Sequence, residues 1–239
     1  MQKQIFGIMV GVMIAAAAFA ANSAPQVSRC DETDKVCRQF EKLAQGKQFE
    51  KIVDLYETGM RYSDESRAFI GEACMALASR PNITPAQEES YYLGALQVKH
   101  AIAYMGLYFL YAQKDEAKAL GFLREYIKTN PADTVPYAIL GETELNNKNY
   151  ELADTYLRQA KKAAYAYSPR IDWMLFQANY LLKEYQFARE RFESAVTKGK
   201  FEKELKALAS DPRFEGIDMR PEFKQYQSML RVAMAYSQR

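Results

Sequence analysis

The sequence predicts an all-α chain: an α-solenoid of about five stacked helix pairs with a C-terminal helical cap. Three observations point there. Two stretches, "NYELADTYLRQA" from Asn149 to Ala160 and "EYQFARERFESA" from Glu184 to Ala195, share one pattern 35 positions apart. Each reads aromatic, two residues, Ala, three residues, large apolar, two residues, Ala, and spacings of three and four put those residues on one helical face. Loop-forming runs recur where paired helices must turn: "QKD" at 113–115, "NPADTVP" at 130–136, "NNKN" at 146–149 and "YSP" at 167–169. Segments that alternate with period two, as strands do, are almost absent.

The elements follow in chain order. Residues 1–24 place Lys3 before an apolar run from Ile5 to Ala18 and then small residues, the pattern of a secretory signal peptide. Ala18 and Ala20 satisfy the small-x-small rule for cleavage after Ala20, which divides the chain into a signal peptide (1–20), a linker (21–34), a helical solenoid (35–200) and a capping segment (201–239). Cys30 in the linker and Cys37 just inside the solenoid lie seven apart. Were both helical, a rise of 1.5 Å per residue would separate them by roughly 10 Å, beyond disulfide reach. They can pair only if Cys30 precedes the helix, which "CDETDKVC" permits, since Asp31, Thr33 or Asp34 can cap a helix that begins near Lys35. Cys74, inside the apolar pattern "AFIGEACMALA", is expected to be a buried free thiol.

The repeat can be traced backward. Phe49, Ile52, Tyr56 and Gly59 carry it in a first unit, Tyr92 and Ala95 in a degraded second, and Ala119, Leu123 and Tyr126 in a third that Pro131 ends. Pro85 and Pro136 suit the first turn of a helix. The small residues Ala153, Ala160, Ala188 and Ala195 let neighbouring helices approach closely. A unit of this kind cannot bury its apolar face alone, so units stack and present a concave surface. The tail from Phe201 leaves the period and supplies helices near Phe201–Ser210 and Pro221–Ala235 as a cap.

The clearest unit, "VPYAILGETELNNKNY", sets Tyr137, Leu140 and Gly141 ahead of Tyr150, Ala153, Leu157 and Ala160, and so resembles the tetratricopeptide repeat, whose period is 34 residues. The resemblance covers roughly Lys35 to Gly199 as five units, with Glu144 where the family has Tyr and Phe176 where Gly is usual. Tails with an Asp-Pro-Arg-Phe element and a second Phe close other such proteins, and Asp211–Phe214 and Phe223 match them. The resemblance implies a right-handed superhelix whose groove is lined by the first helix of each pair. Equivalent groove positions are then Glu41, Glu72, Tyr108, Glu142 and Gln177, flanked by Trp173 and by Leu145 and Tyr180: an acidic and aromatic surface. The Lys and Asn pattern by which some family members clamp a C-terminal carboxylate is missing. A basic or aromatic segment of a partner protein, extended or helical, fits such a surface. Tyr104, Tyr108 and Tyr111 share one stripe that a shift of one residue moves between groove and core, and Trp173 serves equally as an interior anchor or an exposed hot spot.

Chemistry has little to work with. The chain holds one histidine, His100, with no second ligand at metal spacing, no serine elbow and no phosphate loop. We therefore expect no catalytic residue, no metal and no cofactor. Cleavage after Ala20 removes Lys3 from the 32 basic residues and leaves 31 against 30 acidic ones, too even a balance for nucleic acid or an anionic membrane to be the main partner. No later run is long enough to span a membrane. The sequence thus points to a periplasmic or secreted scaffold or adaptor in envelope assembly, with a small-molecule receptor built on the Tyr-rich middle as the alternative.

Overall fold

The computed structural model describes residues 29–237, apart from 165, 167 and 200. The expected signal peptide and most of the linker lie outside the described residues. Among the described residues all regular structure is helical, and no helix is long and apolar enough to cross a membrane. The chain divides between His100 and Ala101 into two compact units, where the sequence predicted one repeat body over 35–200 and a separate tail.

The first unit holds α1 (Lys35–Gln45), α2 (Phe49–Asp54), α3 (Asp64–Ala78) and α4 (Pro85–Gln97). The second holds α5 (Ala103–Tyr111), α6 (Glu116–Thr129), α7 (Thr134–Asn146), α8 (Tyr150–Ala163), α9 (Pro169–Leu181), α10 (Tyr185–Lys198) and α11 (Glu202–Ala209), then three short 3-10 turns and α12 (Gln227–Ser237). Helices adjacent in sequence pack in pairs: α3 with α4, α5 with α6, α7 with α8, α9 with α10.

Close approach within a pair follows from the small residues. In α7/α8, a Cβ added to Gly141 would sit 2.5 Å from Leu157 Cγ, and Ala153, Leu157 and Ala160 have no exposed surface. In α9/α10, 35 positions on, Phe176 and Phe192 take the places of Gly141 and Leu157 and meet edge to face, with ring centroids 5.1 Å apart. The departure at Phe176 is therefore matched by a second change in the facing helix, and aromatic packing replaces close backbone approach.

The turns are built alike. Lys47, Lys99, Lys148 and Lys183 all adopt positive φ, between 53° and 65°, a conformation that costs a non-glycine residue roughly 1–2 kcal/mol. Each stands where a Schellman motif needs it. The lysine N–H donates to the carbonyl three residues back (Ala44, Leu96, Leu145, Tyr180), and the next N–H donates five back, as from Asn149 to Glu144 at 2.9 Å and from Glu184 to Asn179 at 2.8 Å. Four orphan carbonyl pairs at helix ends are satisfied this way.

Contacts between successive pairs of the second unit are polar as well as apolar. The Glu144 side chain accepts from Asn149 at 2.8 Å and faces Arg124 of α6. One repeat later the roles exchange: Asn179 donates to Glu184 and, at 2.8 Å, to Asp154 of α8. Asp172 of α9, 1% exposed, is held by Lys161 of α8 at 2.5 Å and by Ser194 of α10 at 2.8 Å. The segment after α10 covers the end of the second unit. Phe214, Ile217, Phe223 and Leu230 pack with Trp173, Phe176, Tyr180 and Phe192 in one cluster, and Arg220 lies 3.4 Å over the Tyr185 ring.

Two glycines on neighbouring helices give opposite expectations. Gly141→Ala should lower stability by about 1–3 kcal/mol through overpacking on Leu157. A Cβ at Gly121 in α6 meets nothing within 4 Å, so Gly121→Ala should raise stability by about 0.5–1 kcal/mol. Urea midpoints of the two variants, measured together, check both signs.

Candidate functional site

In the first unit, the two acidic positions are brought together by a residue the sequence did not single out. Arg29 donates from Nη1 and Nη2 to Glu72 at 3.0 and 2.9 Å, and its backbone N–H donates to Glu41 Oε1 at 3.0 Å. Its guanidinium lies 4.4 Å from the centroid of the Phe69 ring. The fork on Glu72 holds the guanidinium charged and raises its pKa further.

Local structure explains why Arg29 arrives there. Cys30 and Cys37 form a disulfide with Cα atoms 5.6 Å apart. Cys30 lies ahead of α1 and Asp34 caps it, accepting from Cys37 N at 2.8 Å. The second Asp34 oxygen accepts from Ser63 Oγ at 2.6 Å, and Ser63 itself caps α3. The N-termini of α1 and α3, which carry Glu41 and Glu72, are thereby joined by one hydrogen-bonded link. Those bonds hold the Asp34 carboxyl below its ordinary range.

Glu72 has a second neighbour. His100 lies flat against α3 where there is no side chain, since a Cβ on Gly71 would be 2.6 Å from His100 Cβ and Cγ. Burial pushes the His100 pKa down, and the Glu72 carboxylate opposes part of that shift. Cys74 is free and buried, and burial pushes its thiol up to about 11. A thiol so protonated is a poor nucleophile.

In the second unit the same kind of pairing recurs. Arg170 donates from Nη2 to both oxygens of Glu142, at 3.0 and 3.1 Å. Tyr108 is a neighbour of Glu142: burial raises its pKa first, and the carboxylates of Glu142 and Glu116 add to the shift. Gln177 is half-buried on α9.

Two expected groove residues belong to the interior instead. Trp173 and Tyr180 are 5% and 6% exposed. Trp173 stacks on Phe201 at 5.0 Å, and Tyr180 packs 5.1 Å from Phe214. The capping segment supplies both partners, and a face covered in this way cannot receive another chain. Leu145, placed beside them, is buried too. Of the tyrosine stripe, Tyr104 and Tyr111 rest on Phe122 of α6 at 6.5 and 5.9 Å, so they pack between helices.

Among the described residues, no group of three or more His, Cys, Asp or Glu is arranged to hold a metal ion. The buried carboxylate of Asp172 is surrounded by Lys161, Ser194 and, at 3.7 Å, Arg191. Compensated on three sides, it reads as a structural anion rather than an acid or base for chemistry. No protein-family model matches the chain, and no curated protein matches its sequence.

The sign of the pH dependence follows from His100. Its pKa is lowered on folding from 6.5, so the unfolded state takes up the proton first. The contribution is complete above about pH 6.5 and is lost as pH falls from there through the folded value. Between pH 7.5 and 5.5, the urea midpoint should fall for the parent and stay flatter for His100→Gln. Equal slopes would show that His100 is not held neutral.

Proposed function

We propose that this chain is an exported scaffold of tetratricopeptide type, whose helix pairs hold a cationic segment of a partner protein against acidic positions on the first helix of each pair. The observation that carries this is chemical. Each unit presents a partly exposed carboxylate of this set with an arginine on it: Arg29 forks on Glu72 through Nη1 and Nη2, and Arg170 reaches both oxygens of Glu142 through Nη2 alone. The two-nitrogen fork at Glu72 selects arginine by geometry as well as by charge, and the contact at Glu142 selects a cation by charge. The close-packed pairs α7/α8 and α9/α10 support the helical frame such a surface requires. Export to an oxidising compartment is consistent with the Cys30–Cys37 disulfide; we place the mature protein in the periplasm or outside the cell, after cleavage near Ala20.

Mutagenesis must avoid the core. Trp173→Ala would empty part of the aromatic cluster and unfold the unit, so the informative change is Glu142→Lys, at a half-exposed position. Crosslinked capture from the native envelope extract, followed by mass spectrometry, should recover a specific protein with the parent and lose it with Glu142→Lys at unchanged helical content. Crosslinks should map to α5, α7 or α9. Equal recovery by both chains would remove Glu142 from the partner surface.

A further inference from the structure

A surface ion pair between one arginine and one carboxylate is weak when both partners are exposed, and here the side chains of Arg29 and Glu72 are 45% and 46% exposed. What holds Arg29 in place is therefore largely its tether. Residues 30–37 are closed into a ring by the disulfide. Within it Asp31 accepts from Thr33 N at 2.8 Å and from Thr33 Oγ1 at 2.6 Å, and Asp34 ties the ring to α1 and to Ser63. Arg29 lies one bond outside that ring. Confinement of this kind raises the local concentration of the side chain at Glu72 without any new contact.

The same contacts describe what an arginine of an incoming extended segment would need. Glu72 offers the fork, Phe69 an aromatic face for the guanidinium plane, and Glu41 an acceptor for the backbone N–H. Arg29 uses all three. We propose that Arg29 is a tethered plug: it fills the guanidinium socket of Glu72, Phe69 and Glu41 in the free chain and must leave before an arginine of a partner segment can enter. The partner chemistry here rests on the scaffold function proposed above, while the socket can be tested without that partner. A plug differs from a structural clasp in one respect. Removing a clasp only loosens the fold, whereas removing a plug makes a site available.

The gain is set by how often the plug is out, because apparent affinity is reduced by the fraction of chains that are competent to bind. A plug seated nine-tenths of the time gives about a tenfold gain on removal. The test is fluorescence anisotropy of the purified chain with an end-blocked, labelled peptide Gly-Tyr-Arg-Tyr-Gly and its Lys counterpart. Arg29→Ala should bind the Arg peptide about tenfold tighter than the parent, and the Cys30→Ser, Cys37→Ser chain should show a smaller gain. Adding Glu72→Gln to Arg29→Ala should return binding to the parent level. Arg29→Lys, which keeps the charge but loses the fork, should gain as well and guards against a folding defect in the alanine variant. The Lys peptide should gain little from any of these changes. Equal binding by the parent and both Arg29 variants, or a gain that survives Glu72→Gln, overturns the plug. A gain that needs Glu72, in a chain that captures no envelope protein, keeps the plug and removes the scaffold function; capture that depends on Glu142, with no gain from either Arg29 variant, does the reverse.

Discussion

Two helices can approach only as far as the side chains between them allow, and in the second unit that limit is set by a handful of small residues. Ala153, Ala160, Ala188 and Ala195 have no exposed surface, and Gly141 leaves room for Leu157 and nothing more. Close packing of this sort cannot stretch to admit a methyl group without moving a helix. The connection must reverse the chain within about three residues, which forces Lys148 and Lys183 into a left-handed conformation with φ of 64° and 65°. The Schellman hydrogen bonds offset the cost of that conformation by satisfying the last carbonyls of α7 and α9.

Successive pairs are joined by apolar packing, as where Leu157 of α8 shares a cluster with Ile171, Met174 and Leu175 of α9, and by polar side chains as well. Glu144 faces Arg124 of α6 and Asn179 donates to Asp154 of α8, while at the turn within each pair Glu144–Asn149 and Asn179–Glu184 make one contact twice with the residues exchanged. Asp172 is the most demanding of these joints. A carboxylate taken out of water needs its lone pairs satisfied, and it draws Lys161 and Ser194 from the two neighbouring helices. Carboxylates that point outward on the same first helices meet different partners: Glu142 meets Arg170, and in the first unit Glu72 meets Arg29. Structure and candidate site thus use the same helices, divided by the direction in which the side chain points.

Much of the fold is legible in the sequence, because helical periodicity and turn chemistry are local signals. The starts of α8 and α10 fall at Tyr150 and Tyr185, where the repeated pattern begins. The condition for the disulfide, that Cys30 stand outside the helix, is met by a helix starting at Lys35 and capped by Asp34. Local patterns fail where a distant segment decides the outcome. The groove positions put Tyr180 on an open face and leave Trp173 between groove and interior, but nine of the thirteen residues of α9 are buried, because Phe201, Phe214 and Phe223 of the cap cover the side that α8 and α10 leave free. The place of Arg29 is not legible for a related reason: its partners are 12 and 43 residues away, and a linker arginine carries no periodic signal. The recurring lysine two residues before Phe49, Tyr150 and Tyr185 is a local signal that coincides with the left-handed turns.

A helix pair is one closed unit, locked at its turn. Site-resolved amide hydrogen exchange tests it most directly, through the N–H groups of Asn149 and Glu184, which the Schellman motifs tie to the carbonyls of Glu144 and Asn179. If the pairs are closed, these two amides exchange as slowly as those of Leu157 and Phe192 in the buried centres of α8 and α10, since all open only when the pair opens. If Asn149 and Glu184 exchange at loop rates while Leu157 and Phe192 stay protected, the turns are not locked and the account of the pairs fails.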